Sequence, residues 1–310
     1  MDDSTRTFDE LRPRLEGIAY RMLGSMAEAE EVVQDVWLRW HERDPATLDS
    51  AEAWLVTVAT RLSIDRLRSA KVRREDYVGI WLPEPILTES PPTPDQMLER
   101  ADEVSTAFLM LLERLSPEAR AAFLLREVFD ADYPQVSEMI GKSEAACRQL
   151  VHRAKAQLRA ERPRFAVSPD THRRLLGDFA AAITDGKLAA LKSMLSERAE
   201  LIGDGGGKVP SFGKPLVGSQ RIAQLYFAST RRHGTAQRVE IANINGQWGL
   251  LRFIMWRSGV NRCFSAPGNA PRWPGPRHSP ICLLTAWPTN SSKVRARSSP
   301  KRSCRTSPSS

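Results

Sequence analysis

The 310-residue chain lacks a long hydrophobic run, and its final segment contains no acidic residue. A membrane-spanning helix needs roughly 18 or more consecutive apolar residues, so a membrane protein of this class is excluded. The N-terminal segment contains several acidic side chains and no apolar core. We therefore expect no secretory signal and a cytoplasmic protein without membrane attachment.

Cysteine is also scarce, with four residues in the whole chain. Cys147 stands alone before the C-terminal tail, and Cys263, Cys282 and Cys304 form no Cys-x-x-Cys pair and have no histidine at ligand spacing. The five histidines are scattered, which gives no support for a histidine-based catalytic triad. The sequence predicts reduced thiols, no metal site and no cofactor.

Positive charge is unevenly distributed. The formal net charge is +8, but residues 1–240 contain 34 Lys and Arg against 37 Asp and Glu. Residues 241–310 contain 11 Lys and Arg and no acid. The overall excess, which suggests nucleic-acid binding, therefore belongs to the C-terminal segment.

The composition changes at about Met255, where Pro and Ser become frequent and helical and strand periodicity are lost. Residues 255–310 are predicted to be a disordered basic tail. A basic arm that binds nucleic acid or acidic lipid is one alternative. Translation out of frame from near residue 254 is another, because the acids vanish abruptly and isolated tryptophans lie among prolines.

Residues 1–75 are predicted to be helical, with helices near 8–23, 27–42 and 53–74 separated by Gly24-Ser25 and by a turn at Asp44-Pro45. The second and third helices each carry an apolar stripe that must be buried. Residues 61–74 contain six basic residues against Asp65. This basic half-helix is a candidate nucleic-acid contact.

An acidic, proline-rich linker is predicted for residues 76–104. Its apolar group Ile80, Trp81 and Leu82, followed by Pro83-Glu84-Pro85, is unusual for a solvated spacer. Two interpretations stay open. The segment is either a turn whose Trp81 covers a domain edge or a docking segment for another domain or partner.

Residues 105–165 show a helix-turn-helix pattern. Ser116-Pro117 begins one helix, a short helix ends at Gly141, and Ser143 caps a longer basic helix. Cys147 begins the apolar stripe of this last helix, and Arg, Gln and His occupy its opposite face. An outward Arg can recognise guanine and a Gln adenine, while further cations neutralise phosphate. The remaining alternative is a helix with a merely solvated basic face.

The first 165 residues resemble extracytoplasmic-function (ECF) sigma factors of RNA polymerase. The resemblance to their region 2 lies in Leu23-Gly24, Ala27 to Leu38, Ala53-Trp54-Leu55 and Ser63 to Arg68, and that to region 4 lies in Tyr133 to Leu158. Trp81-Leu82-Pro83-Glu84-Pro85 is similar to the linker of a subgroup with a fused C-terminal SnoaL-like domain. The resemblance implies a mostly α fold: two helical sigma domains, an incomplete α+β SnoaL-like cone at 168–254 and a disordered tail.

This resemblance also implies a function in promoter-specific transcription initiation, with the polymerase core (β′ and β subunits) and promoter DNA as partners. The implied polymerase-binding residues are Gln34, Asp35 and Arg39. The residues implied at the −10 element, around the loop 44–50 and the following helix, are Asp49, Ser50, Trp54, Arg61, Arg66, Arg68 and Arg73. Those implied at the −35 element are Arg148, Gln149, His152, Arg153 and Lys155.

The segment 204–208, Asp-Gly-Gly-Gly-Lys, matches a further motif of the subgroup. By chemistry alone it could be a phosphate nest or, in better agreement with the sequence around it, a tight loop between strands; the resemblance suggests a third interpretation, a contact with the sigma core. The resemblance favours the contact and thus implies interdomain roles for Trp81, Pro83, Asp204, Gly205 and Lys208. The cone lacks strands and a final motif after Arg252, which predicts exposed sheet edges.

Two other functions remain open from the sequence. The cone could be a small-molecule isomerase or hydrolase with Asp178 or Asp185 as its base. Alternatively, the chain could be a helix-turn-helix regulator that senses a ligand. A sigma factor would bind promoters mainly together with polymerase, which distinguishes it from both.

Overall fold

The computed structural model describes residues 3–74, 81–87, 105–161, 168–204, 213–234, 237–254 and 279–280. Ten α-helices and five strands lie within these ranges. The chain is mostly helical, and its small sheets lie in the C-terminal part, as predicted. None of the helices in these ranges is long and apolar enough to cross a membrane.

Three helices form the N-terminal unit: α1 (Asp3–Leu23), α2 (Met26–His41) and α3 (Ala51–Arg74). Gly24 ends α1 at a φ of +69°, which favours glycine, and the Ser25 hydroxyl accepts a hydrogen bond from the Glu28 amide to cap α2. All three predicted helices are confirmed, although α1 begins at Asp3 instead of Phe8.

Four helices follow after the linker: α4 (Thr106–Leu112), α5 (Pro117–Glu127), α6 (Tyr133–Ile140) and α7 (Glu144–Glu161). The α6 helix begins with a reciprocal capping box between Asp132 and Gln135 and ends at Gly141, whose φ is +67°. The Ala146 amide donates to the Ser143 hydroxyl, which caps α7. These local signals produce the predicted helix-turn-helix.

The helices α1 to α7 share one hydrophobic core. Trp40 and Leu15 of the N-terminal unit belong to the same cluster as Leu124 and Val151 of the helix-turn-helix unit. Helix α3 packs on both α5 and α6. The two units predicted from the sequence are thus in direct apolar contact.

The C-terminal part has its own smaller core, which includes Phe179, Leu191, Tyr226 and Leu250. Its elements are α8 (Pro169–Thr184), α9 (Leu188–Met194), β1 (Glu200–Leu201), β2 (Leu216–Val217), α10 (Ser219–His233), β3 (Gln237–Ile244) and β4 (Gln247–Ile254). Leu175 of α8 lies outside this core and is 41% exposed.

Two small antiparallel sheets organise this part, one formed by β1 and β2 and the other built on the β3–β4 hairpin. The hairpin pairs Gln237 with Ile254 and Ile244 with Gln247. Its turn residues Asn245 and Gly246 have φ values of +50° and +75°, as a tight Asn-Gly turn requires. A short strand β5 (Ser279–Pro280), within the segment expected to be disordered, pairs with the end of β4.

Candidate nucleic-acid interface

Helix α7 presents a polar face outward over a buried apolar stripe. Cys147, Val151, Ala154 and Leu158 face the core. On the opposite side, a shallow open cavity of about 480 Å³ is lined by Arg148, Gln149, His152 and Arg153. The structure therefore brings together, on one open face, four of the five residues that the resemblance assigns to the −35 element.

Lys155, the fifth residue of that set, does not join the other four. Its ammonium group lies 2.6 Å from a carboxylate oxygen of Glu127, and it ties α7 to α5. The position of Lys155 on α7 turns its side chain toward the neighbouring helix, and its assignment to the −35 element stays a prediction.

Arg148 makes a cation–π contact that could not be predicted from the sequence. The Arg148 guanidinium lies 4.9 Å from the centre of the Tyr133 ring, and Arg126 lies 5.2 Å from the same ring. Arg148 also donates to Glu144 at 2.8 Å. Stacking and an ion pair limit the conformations of the Arg148 side chain. No local pattern signals this contact, because Tyr133 belongs to a different helix.

Helix α2 has a second outward surface. Gln34 and Arg39 are exposed, as their assigned role requires. Leu38, which had no role predicted from the sequence, is 61% exposed between them and is an apolar side chain available to a partner. Asp35 is half-buried because it accepts a hydrogen bond from Arg66 at 2.8 Å.

The loop before α3 is held by local caps. Asp44 accepts from the Ala46 amide and begins a short 3₁₀ helix, Pro45–Thr47. Ser50 accepts from the Ala53 amide, and both Asp49 and Ser50 are exposed. Trp54 is half-buried, with its ring centre 5.7 Å from that of Trp40, so this ring also contributes to the core.

Three arginines of α3 have hydrogen-bond partners on other helices of the chain. Arg61 donates to the carbonyl oxygens of Met139 and Glu138, at 3.0 and 2.8 Å. Arg68 binds Glu118 at 2.6 Å, and Arg66 binds two carboxylates of α2. Each of the three is thus engaged within the chain, and their contact with a DNA backbone stays a prediction. The Arg73 side chain lies outside the described residues.

The contact between Arg68 and Glu118 affects proton binding. Partial burial by itself raises the pKa of Glu118 and is the largest single influence. The hydrogen bond and charge of Arg68, a backbone hydrogen bond and the charge of Lys142 together outweigh it, so the net pKa lies below the ordinary value. Glu118 lies in the first turn of α5, and Arg68 lies on α3. This ion pair therefore connects the N-terminal helical unit with the helix-turn-helix unit.

The linker segment 81–87 lies between the N-terminal unit and the C-terminal part. A Cβ atom at Gly24 would lie 2.5 Å from a ring carbon of Trp81 and 3.4 Å from Pro83, so glycine permits the close approach. The Leu82 amide donates to the Asp204 carboxylate at 2.8 Å. This contact supports the docking interpretation of the segment. Gly205 and Lys208 lie outside the described residues.

A buried polar junction continues this contact at the tip of the β3–β4 hairpin. The Asn245 amide group donates to the hydroxyls of Tyr20 and Thr106, at 3.1 and 3.4 Å. The Asn245 backbone also pairs with Ile86 of the linker. Burial raises the pKa of Tyr20 to about 12, so its hydroxyl remains protonated and donates to the Glu84 carbonyl.

Neither carboxylate considered as a catalytic base is enclosed. Asp178 and Asp185 are both exposed, and Asp185 pairs with Lys187 at 2.8 Å. Within the described ranges, no group of three or more potential metal ligands occurs. The enzyme alternative therefore gains no support from the geometry.

Comparison with known proteins agrees with the geometry. The Sigma-70 region 2 family model matches residues 7–73, and the Sigma-70, region 4 model matches residues 105–158. ECF RNA polymerase sigma factor SigJ of Mycobacterium tuberculosis is 37% identical over 246 residues, which are 78% of each chain. Probable ECF RNA polymerase sigma factor SigI of the same species is 34% identical over 186 residues, 59% of this chain and 64% of SigI.

The crystal structure of SigJ superposes with a TM-score of 0.65 and 32% sequence identity, covering 83% of this chain and 87% of SigJ. The match thus extends beyond the two sigma regions into the C-terminal part. The two region models match in order, and SigJ is similar to this chain over most of the length of both proteins. The chain therefore belongs to the ECF sigma factors, which direct promoter-specific transcription initiation.

Proposed function

We propose that residues 1–75 bind core polymerase and the −10 element, and that residues 105–165 bind the −35 element. The observation that carries this proposal is the outward face of α7, where four polar side chains surround one open cavity above a fully buried stripe. Such a helix supplies base contacts in the major groove. Polymerase performs the chemistry, so the chain itself acts by binding and positioning, in the cytoplasm where transcription takes place.

Polymerase binding is assigned to the outward face of α2, and we propose the β′ subunit as its partner. Gln34 and Arg39 supply polar contacts, and Leu38 supplies an exposed apolar side chain of the kind that dominates interface energy once buried. Asp35 contributes a carboxylate held by Arg66. Further contact with the β subunit is proposed for residues 105–165.

At the −10 element, the proposal assigns the loop 44–50 to a flipped base. Extruding a base costs a few kcal/mol, so the protein must offer both a pocket and cations. Asp49 and Ser50 are exposed at the end of this loop. Arg61 and Arg68 supply the cations once they exchange their internal partners for phosphates.

The C-terminal part is proposed to modulate this activity. Asn245 binds Tyr20 of α1, Thr106 of α4 and Ile86 of the linker, and thereby holds both sigma regions together. In this arrangement the guanidinium groups of Arg61 and Arg68 are bound to residues of region 4. Opening the junction is therefore expected to precede full engagement of the −10 and −35 elements.

The test of the proposed function is reconstitution. The full chain is mixed with core RNA polymerase of Mycobacterium tuberculosis, and co-elution and run-off transcription from a set of promoter fragments are measured. We expect co-elution and promoter-selective transcripts, with promoter protection mainly by the holoenzyme. Absence of co-elution would overturn the proposal, and equal promoter protection without polymerase would favour a stand-alone regulator.

A further inference from the structure

We propose that Arg66 is a positioning residue for polymerase binding and not a ligand of the DNA backbone. It fixes Glu31 and Asp35 on α2 in the orientation in which that helix meets the polymerase. The inference rests on the proposed role of α2 as the polymerase-binding helix, and it changes the role that the sequence assigns to Arg66.

The geometry is a charged fork between two helices. One guanidinium nitrogen of Arg66 lies 2.6 Å from a Glu31 oxygen, and the other lies 2.8 Å from an Asp35 oxygen. The Arg66 side chain is 23% exposed, whereas those of Glu31 and Asp35 are 64% and 44% exposed. The cation therefore lies beneath the two carboxylates, and the carboxylates face outward.

The position of Arg66 separates it from its basic neighbours. Arg61 and Arg68 point from α3 toward residues of α6 and α5. Arg66 points toward α2, where it also approaches the Glu28 carbonyl at 3.5 Å. A phosphate would have to displace two carboxylates that are already bound in a charge-assisted arrangement.

The need for such a residue follows from the charge of α2. Glu31 and Asp35 are four residues apart on one helix, where like charges repel each other. Arg66 offsets that repulsion and holds each carboxylate through one oxygen. The second oxygen of each is left to accept from a cation, so the occupant expected on this face is a basic surface of the polymerase core.

The experiment separates affinity for polymerase from contact with DNA. Full-length wild type, Arg66→Gln and Arg66→Lys compete with a labelled wild-type chain for core polymerase of Mycobacterium tuberculosis. We expect Arg66→Gln to weaken core binding about tenfold, the scale of one charge-assisted contact. Arg66→Lys restores the charge without the fork and is expected to recover part of that loss.

The same variants are then tested as preformed holoenzyme at saturating core. We expect the slope of promoter affinity against salt concentration to match that of the wild type, because no phosphate contact is lost. Arg14→Gln is the matched control, since it removes another interhelical ion pair of the same region, with Glu52, away from the outward face of α2. Its core affinity is expected to remain that of the wild type.

Unchanged core affinity together with a salt slope reduced by about one would overturn the inference and restore the phosphate role. Tighter core binding by Arg66→Gln would also overturn it, because Arg66 would then compete with the polymerase. If Arg66→Gln fails to fold, the double variant Glu31→Gln/Asp35→Asn tests the same contact and is expected to weaken core binding at least as much. Failure of the wild-type chain to bind core would instead reject the proposed function itself.

Discussion

The second half of α3 and the recognition helix α7 have similar basic character, but the structure uses their charge differently. In α3, Arg61, Arg66 and Arg68 all bind oxygen atoms of other helices. In α7, Arg148 and Arg153 remain on an exposed face beside an open cavity. Positive charge alone therefore does not identify a free nucleic-acid surface, because the nearest acceptors within the fold decide which cations remain available.

The largest effect on stability is expected at Arg120, a buried cation that connects the two sigma regions within their shared core. Arg120 is 2% exposed and donates to both the Met22 carbonyl and the Glu113 carboxylate, each at 2.6 Å. Arg120→Met should lower the free energy of unfolding by about 3 kcal/mol, because it leaves a carboxylate without its cation. Urea denaturation measures this loss. Arg14→Met, at an exposed pair, should cost less than about 1 kcal/mol, and equal losses would contradict the distinction.

The next effect concerns the cations on the outward face of α7. Arg148→Ala should reduce discrimination at one −35 base pair by about 1–3 kcal/mol, because a bidentate contact with a base is lost. Transcription from promoters substituted one base pair at a time measures this change. Arg159→Ala, at an exposed position on the same helix but outside the cavity, is the control and should leave discrimination unaltered.

A smaller effect on promoter binding is expected for Arg68, which must exchange Glu118 for a phosphate. Arg68→Gln should lower the salt slope of promoter binding by about one, because one phosphate contact is lost. It should reduce the free energy of unfolding by less than about 1 kcal/mol, since the Arg68 side chain is 57% exposed and solvent screens the pair. Filter binding of the holoenzyme at several salt concentrations measures the slope. An unaltered slope would show that Arg68 serves only the contact between regions.

The smallest effect is the pH dependence of the stability that the Arg68–Glu118 ion pair contributes to the fold. Because the pKa of Glu118 is lowered in the folded chain, the ion pair stabilises the fold at neutral pH, and this contribution disappears as the pH falls through the folded pKa. Glu118→Gln should therefore be less stable than wild type by about 0.5 kcal/mol at pH 7. The difference should shrink toward zero in acid. Chemical denaturation across that range measures it, and a difference that grows in acid would reverse the assigned sign.

Much of the local structure could be predicted because its signals are local. Ser143 and Gly141 mark the start and the end of neighbouring helices through capping and a positive φ, and the apolar stripe of α7 follows from its spacing. The Asn245-Gly246 pair is another local signal, which by itself favours a tight hairpin turn. The family resemblance added functional roles that no local signal contains.

Contacts between distant residues could not be predicted in this way. Arg61 binds a carbonyl 77 residues further along the chain, and Asn245 binds a tyrosine 225 residues before it. Leu38 lies in an apolar stretch of sequence, but its exposure depends on how α2 packs against its neighbours. These contacts depend on the tertiary arrangement, because the spacing of residues near each partner in the sequence does not indicate which distant residue it will meet.

The sequence by itself determined the helices, their caps, the helix-turn-helix and the similarity to ECF sigma factors, because each depends on residues close together in the chain. The tertiary structure alone decided which partners the cations have on other helices. Arg66 is held by two carboxylates, Lys155 is turned toward Glu127, and the cavity on α7 remains open. The physical reason is that a charge binds the nearest oppositely charged group in space, and folding determines which group that is.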